Sequence, residues 1–238
     1  MTEPLLDRRG LLTAAATMTA GAAALAVSPA RGAEAPPTAP SRAFTVQPLP
    51  FDPKSITGLS EKLLVSHHDN NYGGAVKRLG AITSEFAKLD PATAPVFEIN
   101  GLKREELIAW NSMILHELYF SGLGAPARPT AALEAALERD FGSHARWQAE
   151  FSAMGKALGG GSGWVLLTWS HRDSRLVNTW AADHTMTLAG GTPILALDMY
   201  EHAYALDYGA KAAAYVDAFM GTVNWSSGST RFAKASAA

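Results

Sequence analysis

Asp198 and His202 stand four residues apart in LALDMYEHAYALDY, an otherwise apolar and aromatic segment. A carboxylate and an imidazole are common metal ligands, and they also form hydrogen-bonded pairs inside proteins. The residues ILAL precede Asp198, so its carboxylate should be buried, which is costly unless the charge is paired or metal-bound. The spacing therefore predicts either a buried structural pair or two arms of a metal site.

Two more histidines lie upstream in helical patterns. His67 belongs to a first predicted helix, and His116 lies within the apolar stretch MILHELYF of a second. A single histidine in such a place is more often a hydrogen-bonded core residue than a ligand. Three neutral imidazoles with one carboxylate would instead form a site of intermediate hardness, which suits iron, manganese or zinc. Cysteine is absent, so thiolate sites, cysteine nucleophiles and disulfides are excluded.

The elements that must position these residues are first helical and then mixed. Ser60 is a plausible N-cap of the first helix, and NGLKREELIAWNSMILHELYFSGLG predicts the second. Two helices joined at Phe141-Gly142-Ser143 follow, then three strands in GSGWVLLTWS, RLVNTWAAD and TPILALDM, and a closing helix in AAAYVDAFMGTVNW. We expect an α+β fold: an N-terminal α-helical hairpin at 51–124, then a C-terminal domain at 130–228 with a small three-stranded antiparallel sheet flanked by helices.

Composition limits the classes of function. The 238 residues are 47% hydrophobic and 18% charged, enough for one or two domains with a real core. The formal net charge of -2 argues against nucleic acid as a partner, because phosphate binding needs a concentrated basic face.

The N-terminal residues predict export. Arg8-Arg9 precede an uncharged run rich in Ala, Leu and Thr, which indicates a signal peptide at 1–35 of the twin-arginine type. A membrane anchor is the alternative, but the run is only weakly hydrophobic. A Pro/Ala-rich linker is predicted at 36–50. We expect a periplasmic or otherwise exported protein with no stable membrane association after cleavage.

Six segments, in order, resemble the iron/manganese superoxide dismutase family: SHH, NSMILHELYF, LERDFGS, GSGWVLL, DMYEHAYALDY and AYVDAFMGTVNW. The D-x-[WY]-E-H-A-Y signature is the most specific of them. The resemblance implies that one iron or manganese ion per subunit is bound by His67, His116, Asp198 and His202. It also implies that superoxide is converted to dioxygen and hydrogen peroxide, which zinc could not do because it has no redox chemistry.

The resemblance extends to residues around the metal. His184 matches a position that hydrogen-bonds the metal's solvent ligand, and Trp164 matches an aromatic wall of the pocket. Tyr200 stands where the signature usually has tryptophan. Glu201 matches a residue that reaches across a homodimer interface to the ligand histidine of the other subunit. The plainer alternatives are a loop histidine, a core tryptophan and a solvated glutamate.

The expected entrance to the metal departs from the family. A histidine and a tyrosine commonly follow the first ligand by four and eight residues, and here these positions hold Asn71 and Ala75. Tyr72 is five residues on, which in an α-helix points it roughly 140° away from His67. Two functions therefore stay open: a superoxide dismutase, or a metal-binding protein on the same fold with weak or no dismutase activity. The remaining histidines are expected at the surface: His68, His144 and His171.

Overall fold

The computed structural model describes residues 43–237. The predicted signal peptide and the first part of the predicted linker lie outside the described residues. Residues 43–49 have no regular secondary structure, but they are not detached from the core. Phe44, Val46 and Leu49 pack against it, and the ring of Phe44 meets that of Trp110 edge-on at 5.9 Å.

Helices dominate the N-terminal half, as predicted. Helix α1 spans Glu61–Ser66, α2 spans Gly73–Phe86 and α3 spans Val96–Ser121. The predicted N-cap is confirmed, because Ser60 Oγ accepts a hydrogen bond from the backbone N–H of Leu63 at 3.1 Å. Helices α2 and α3 pack against each other, and α3 also packs on the sheet.

Between α1 and α2 the chain forms a π-turn, His67–Tyr72, rather than continuing as an α-helix. A π-helix closes its hydrogen bonds from residue i to i+5, so a residue five positions on returns toward the same face. The α-helical expectation for Tyr72 is therefore wrong. Its side chain is 1% exposed and packs inward.

The C-terminal half contains the predicted sheet. Helices α4, Ala131–Phe141, and α5, His144–Ala157, precede three strands: β1, Trp164–Ser170; β2, Arg175–Ala181; and β3, Gly191–Asp198. The strands are antiparallel in the order β2-β1-β3, which confirms the predicted sheet. Strand β1 is buried along its whole length because helices cover the central strand.

The closing helix differs from the prediction. Helix α6 spans Ala205–Tyr208. The predicted closing helix starts as α7, Ala212–Gly221, but stops before the end of the predicted segment, and a separate helix, α8, spans Trp225–Ser236. Asn224 starts α8, since its Oδ1 accepts from the backbone N–H of Ser226 at 3.0 Å. Within residues 43–237, none of the helices combines the length and hydropathy needed to cross a bilayer.

One glycine sets the junction of the three strands. Gly163 has φ +135, and a Cβ there would lie 2.2 Å from the carbonyl oxygen of Ala181. The carbonyl oxygen of Gly163 accepts from the backbone N–H of Met199 at 2.9 Å. Only glycine permits this close approach to Ala181, and the next residue, Trp164, pairs with Ala181 of β2 and with Asp198 of β3.

Candidate metal centre

Four side chains from four separate elements meet at one point. His67 comes from the π-turn, His116 from α3, Asp198 from the end of β3 and His202 from the 3₁₀ turn Glu201–Ala203. One ligand atom from each lies within 4.8 Å of the others. Oδ2 of Asp198 is 3.1 Å from Nε2 of His67, 3.2 Å from Nε2 of His202 and 3.6 Å from Nε2 of His116.

The carboxylate of Asp198 is oriented by the chain that follows it. Its Oδ1 accepts a hydrogen bond from the backbone N–H of Tyr200 at 2.9 Å. Its backbone carbonyl accepts from the hydroxyl of Tyr215 at 2.8 Å. These bonds leave Oδ2 turned toward the three imidazoles. Tyr215 was not among the residues predicted for the site, since nothing in its local sequence indicates a contact with β3.

His116 shows which of its ring nitrogens is free to bind a metal. Nδ1 lies 2.6 Å from the carbonyl oxygen of Ser112, one turn earlier in α3, and must donate its hydrogen to that acceptor. Nε2 then carries a lone pair, and this buried atom has no hydrogen-bond partner. Burial lowers the pKa of His116 to about 3, so the ring is neutral.

The charges at the centre call for a cation. Burial acts to raise the pKa of Asp198, but the hydrogen bonds with His202 and His67 outweigh it and hold that pKa below its usual range. The side chain of Asp198 is fully buried and anionic. Nε2 of His116, with its lone pair, lies 3.6 Å from Oδ2 of Asp198. A cation that accepts this lone pair would also neutralise the carboxylate. Three imidazole nitrogens and one carboxylate oxygen are a donor set that iron and manganese accept, so the residues fit the metal.

Trp164, His184 and Tyr200 form one side of the centre. The indole N–H of Trp164 donates to Nδ1 of His184 at 2.9 Å, so the proton of the neutral imidazole is on Nε2. Tyr200 stacks on His184 with ring centroids 4.8 Å apart. The ring of Trp164 meets that of His116 edge-on at 5.3 Å, and the ring of His184 is 6.2 Å from that of His116. Trp164 and His184 therefore lie beside the candidate ligand His116, and Tyr200 lies on His184.

The loop that carries His184 is held by α3. The side-chain amide of Asn111 donates to the backbone carbonyl of His184 at 2.6 Å. Burial lowers the pKa of His184, so the ring is neutral near pH 7. Asn111 was not predicted for the site. Its neighbour Ser112 was missed too, although any residue four positions before His116 in a helix has its backbone carbonyl within reach of that imidazole.

The two altered entrance positions lie in the first helical stretch. Asn71 is half-buried within the π-turn, and Ala75, in α2, is 8% exposed. The ring of Phe120 approaches that of His67 edge-on at 5.1 Å.

Glu201 is exposed, next to His202, whose side chain is 25% exposed. Within residues 43–237, His202 makes its hydrogen bond through Nε2 only.

The remaining histidines divide. His171 is exposed, as predicted. His68 is only 12% exposed in its side chain, with Nε2 2.8 Å from the carbonyl oxygen of Gln47, so the surface prediction is wrong for it. His144 is half-buried and pairs with Glu134 at 2.8 Å.

Comparisons with known proteins point to one family. Residues 129–231 match the family described as iron/manganese superoxide dismutases, C-terminal domain. A "Superoxide dismutase [Fe]" of Cupriavidus metallidurans is 69% identical over 192 residues, which cover 81% of this chain and 98% of that protein. A "Superoxide dismutase [Mn] 1" of Halobacterium salinarum is 33% identical, over 81% of this chain and 96% of its own. A "Superoxide dismutase [Mn/Fe]" of Propionibacterium freudenreichii is 30% identical, over 81% and 98%.

Proposed function

The chain belongs to the iron/manganese superoxide dismutase family, and on that premise we propose that it is a superoxide dismutase. The reaction takes two superoxide anions and two protons to one dioxygen and one hydrogen peroxide. The observation that carries the proposal is the convergence of three imidazole Nε2 atoms on Oδ2 of Asp198, a buried carboxylate whose negative charge a cation would neutralise.

The proposed cofactor is one iron or manganese ion per subunit, held by His67, His116, Asp198 and His202. Such an ion supplies the one-electron couple that accepts an electron from one superoxide and returns it to a second. We favour iron, because the relative that is 69% identical carries iron in its name. Relatives at 30–33% identity are named variously for iron, for manganese or for both metals, so manganese is the alternative.

The protein's own residues set the charge and the hydrogen bonds at this centre. Asp198 supplies the negative charge that a multivalent cation needs, and Ser112 fixes His116 with Nε2 toward the centre. Trp164 holds the proton of His184 on Nε2, where it is available as a donor to water or to a small anion. Asn71 cannot change its protonation state near neutral pH, and Ala75 has no polar side-chain atom. The protons for peroxide are therefore proposed to come from water and the His184 side of the centre.

We also propose that the protein is a homodimer and that it is exported. The exposure of Glu201 beside the partly exposed His202 supports the proposal that its carboxylate contacts an imidazole of a second copy. The export proposal is supported by Arg8-Arg9 and the weakly hydrophobic run that follows.

Purified protein loaded separately with iron and with manganese tests the function. We expect about one metal per chain and superoxide consumption by at least one of the two forms, with the metal-free protein as the inactive control. Stoichiometric metal without superoxide consumption would contradict the proposal and favour the metal-binding alternative.

A further inference from the structure

We propose that Tyr72 is a positioning residue of the metal centre, which ties together the two ligand-bearing helices and the extended segment before α1. The proposal deepens the proposed function, but it requires only that a metal is bound and not that superoxide is the substrate. Tyr72 does not act as a substitute for the absent entrance tyrosine. Its hydroxyl points to a different set of partners.

The π-turn is what brings Tyr72 into this position. In a continuous α-helix the side chain would project far from the face of His67. The π-turn His67–Tyr72 instead returns it to the interior, where it is 1% exposed. Single π-turns within α-helices are rare, and those that occur are often found at functional sites. Here the turn begins at a ligand and ends at Tyr72.

The hydroxyl of Tyr72 makes two hydrogen bonds to separate parts of the chain. It accepts from the backbone N–H of Gln47 at 2.9 Å, and it donates to Oε1 of Glu117 at 2.9 Å. Glu117 directly follows the ligand His116 in α3. One phenol therefore joins the turn that carries His67, the helix that carries His116 and the extended segment.

The ring of Tyr72 packs on the same group of residues. Its centroid lies 6.5 Å from that of His116 and 6.4 Å from that of Phe120. The adjacent His68 holds the other side of Gln47, with Nε2 2.8 Å from the Gln47 carbonyl oxygen. The segment at Gln47 is thus fixed through both its N–H and its C=O by residues of the π-turn.

Removing the hydroxyl would leave the Gln47 N–H and the half-buried Glu117 carboxylate without this hydrogen-bond partner. The turn that carries His67 and the helix that carries His116 would lose the hydrogen bond that joins them through Tyr72 and Glu117. Changes to the partners that orient metal ligands typically cost about 10–100-fold in metal affinity. Because the hydroxyl of Tyr72 bonds to Gln47 and Glu117 rather than to a ligand ring, we expect an effect of about tenfold, at the lower end.

The test is Tyr72→Phe in the full chain loaded with iron. We expect iron release to a chelator to be about tenfold faster than in the parent, and the visible absorption of the ferric protein to change. The matched control is Tyr208→Phe, which removes a hydroxyl bonded to the backbone carbonyl of Gly58 but touches none of the four ligands. That variant should show lower thermal stability with parental release and spectrum.

Glu117→Gln and Glu117→Leu separate positioning from general stability. Glu117→Gln keeps an acceptor for the phenol and should release iron as slowly as the parent. Glu117→Leu removes that acceptor and should release iron as fast as Tyr72→Phe. Parental release and spectrum in Tyr72→Phe would overturn the proposal, as would equal acceleration in Tyr208→Phe. A parent protein that holds iron but does not consume superoxide would contradict the proposed function alone and leave this comparison of release rates intact.

Discussion

Trp164 and His184 are joined by a hydrogen bond of 2.9 Å from the indole N–H to Nδ1 of the imidazole. Trp164 begins β1, while His184 lies in the loop after β2, so the sheet and its loop are connected beside the candidate ligands. The bond decides which nitrogen of His184 carries the proton. A neutral imidazole offers one donor and one acceptor, and here the acceptor is already used.

Trp164→Phe should therefore lower superoxide consumption by about tenfold without loss of metal. Phe keeps most of the packing against His116 but leaves Nδ1 of His184 without its donor, so the Nε2–H tautomer is no longer favoured. Turnover per bound metal and the nitrogen NMR shifts of His184 would report the change. The matched control is Trp147→Phe, which removes an indole N–H bonded to Asn178 at 3.1 Å. Loss of activity per metal in both variants would contradict a specific role for Trp164.

Asp198→Asn should lose most of the bound iron or manganese. The amide preserves size but removes the only anionic donor among the four candidate ligands, which a multivalent cation needs. Metal content after purification measures this. Asp140→Asn serves as control, since that carboxylate bonds Arg139 and the backbone N–H of Leu176 rather than any candidate ligand. If Asp198→Asn retained full metal, the four residues would not be the ligand set.

Glu201→Ala should weaken dimerisation and metal retention together. The proposed contact with His202 of the partner subunit would hold that imidazole in its ligating orientation, so both properties depend on one bond. Sedimentation velocity and metal analysis on the same samples would measure them. Glu138→Ala removes another exposed carboxylate and should change neither property. A Glu201→Ala variant that stays dimeric and fully metallated would show this glutamate to be an ordinary surface residue.

Replacement of Arg8 and Arg9 by lysine should leave the precursor uncleaved in the cytoplasm. Twin-arginine recognition depends on the guanidinium pair, and lysine preserves the charge but not the planar group. Fractionation of the producing cells, followed by detection of both forms, would test it. Normal processing of the double-lysine form would mean that a different export route is used.

Gly163→Ala should destabilise the protein more than Gly160→Ala. Both glycines have positive φ, at +135 and +84, which costs a non-glycine residue about 1–3 kcal/mol. A Cβ at Gly160 meets nothing within 4 Å, whereas one at Gly163 lies 2.2 Å from the Ala181 carbonyl oxygen. The difference in free energy of unfolding between the two variants isolates that clash. Equal losses would show that the junction of β1 and β2 yields easily.

Much of this protein could be predicted from local patterns. The N-cap at Ser60, the two helices meeting at Gly142 and the three strands were correct because each depends on residues near in sequence. The choice of four candidate ligands also came from the sequence, through the resemblance of its motifs. Asp198 and His202 are close in sequence, so their meeting requires only a tight turn after β3.

Only the tertiary structure decided how the distant parts meet. His67 and Asp198 are 131 residues apart, and their contact depends on the π-turn packing against α3 and on α3 packing against β3. The direction of Tyr72 was mispredicted for a related reason. Periodicity assumes one backbone hydrogen-bond register, and the shift from α to π over His67–Tyr72 turns every later side chain by part of a turn. The partners of the Tyr72 hydroxyl, Gln47 and Glu117, are 25 and 45 residues away in sequence, so local periodicity does not indicate its direction.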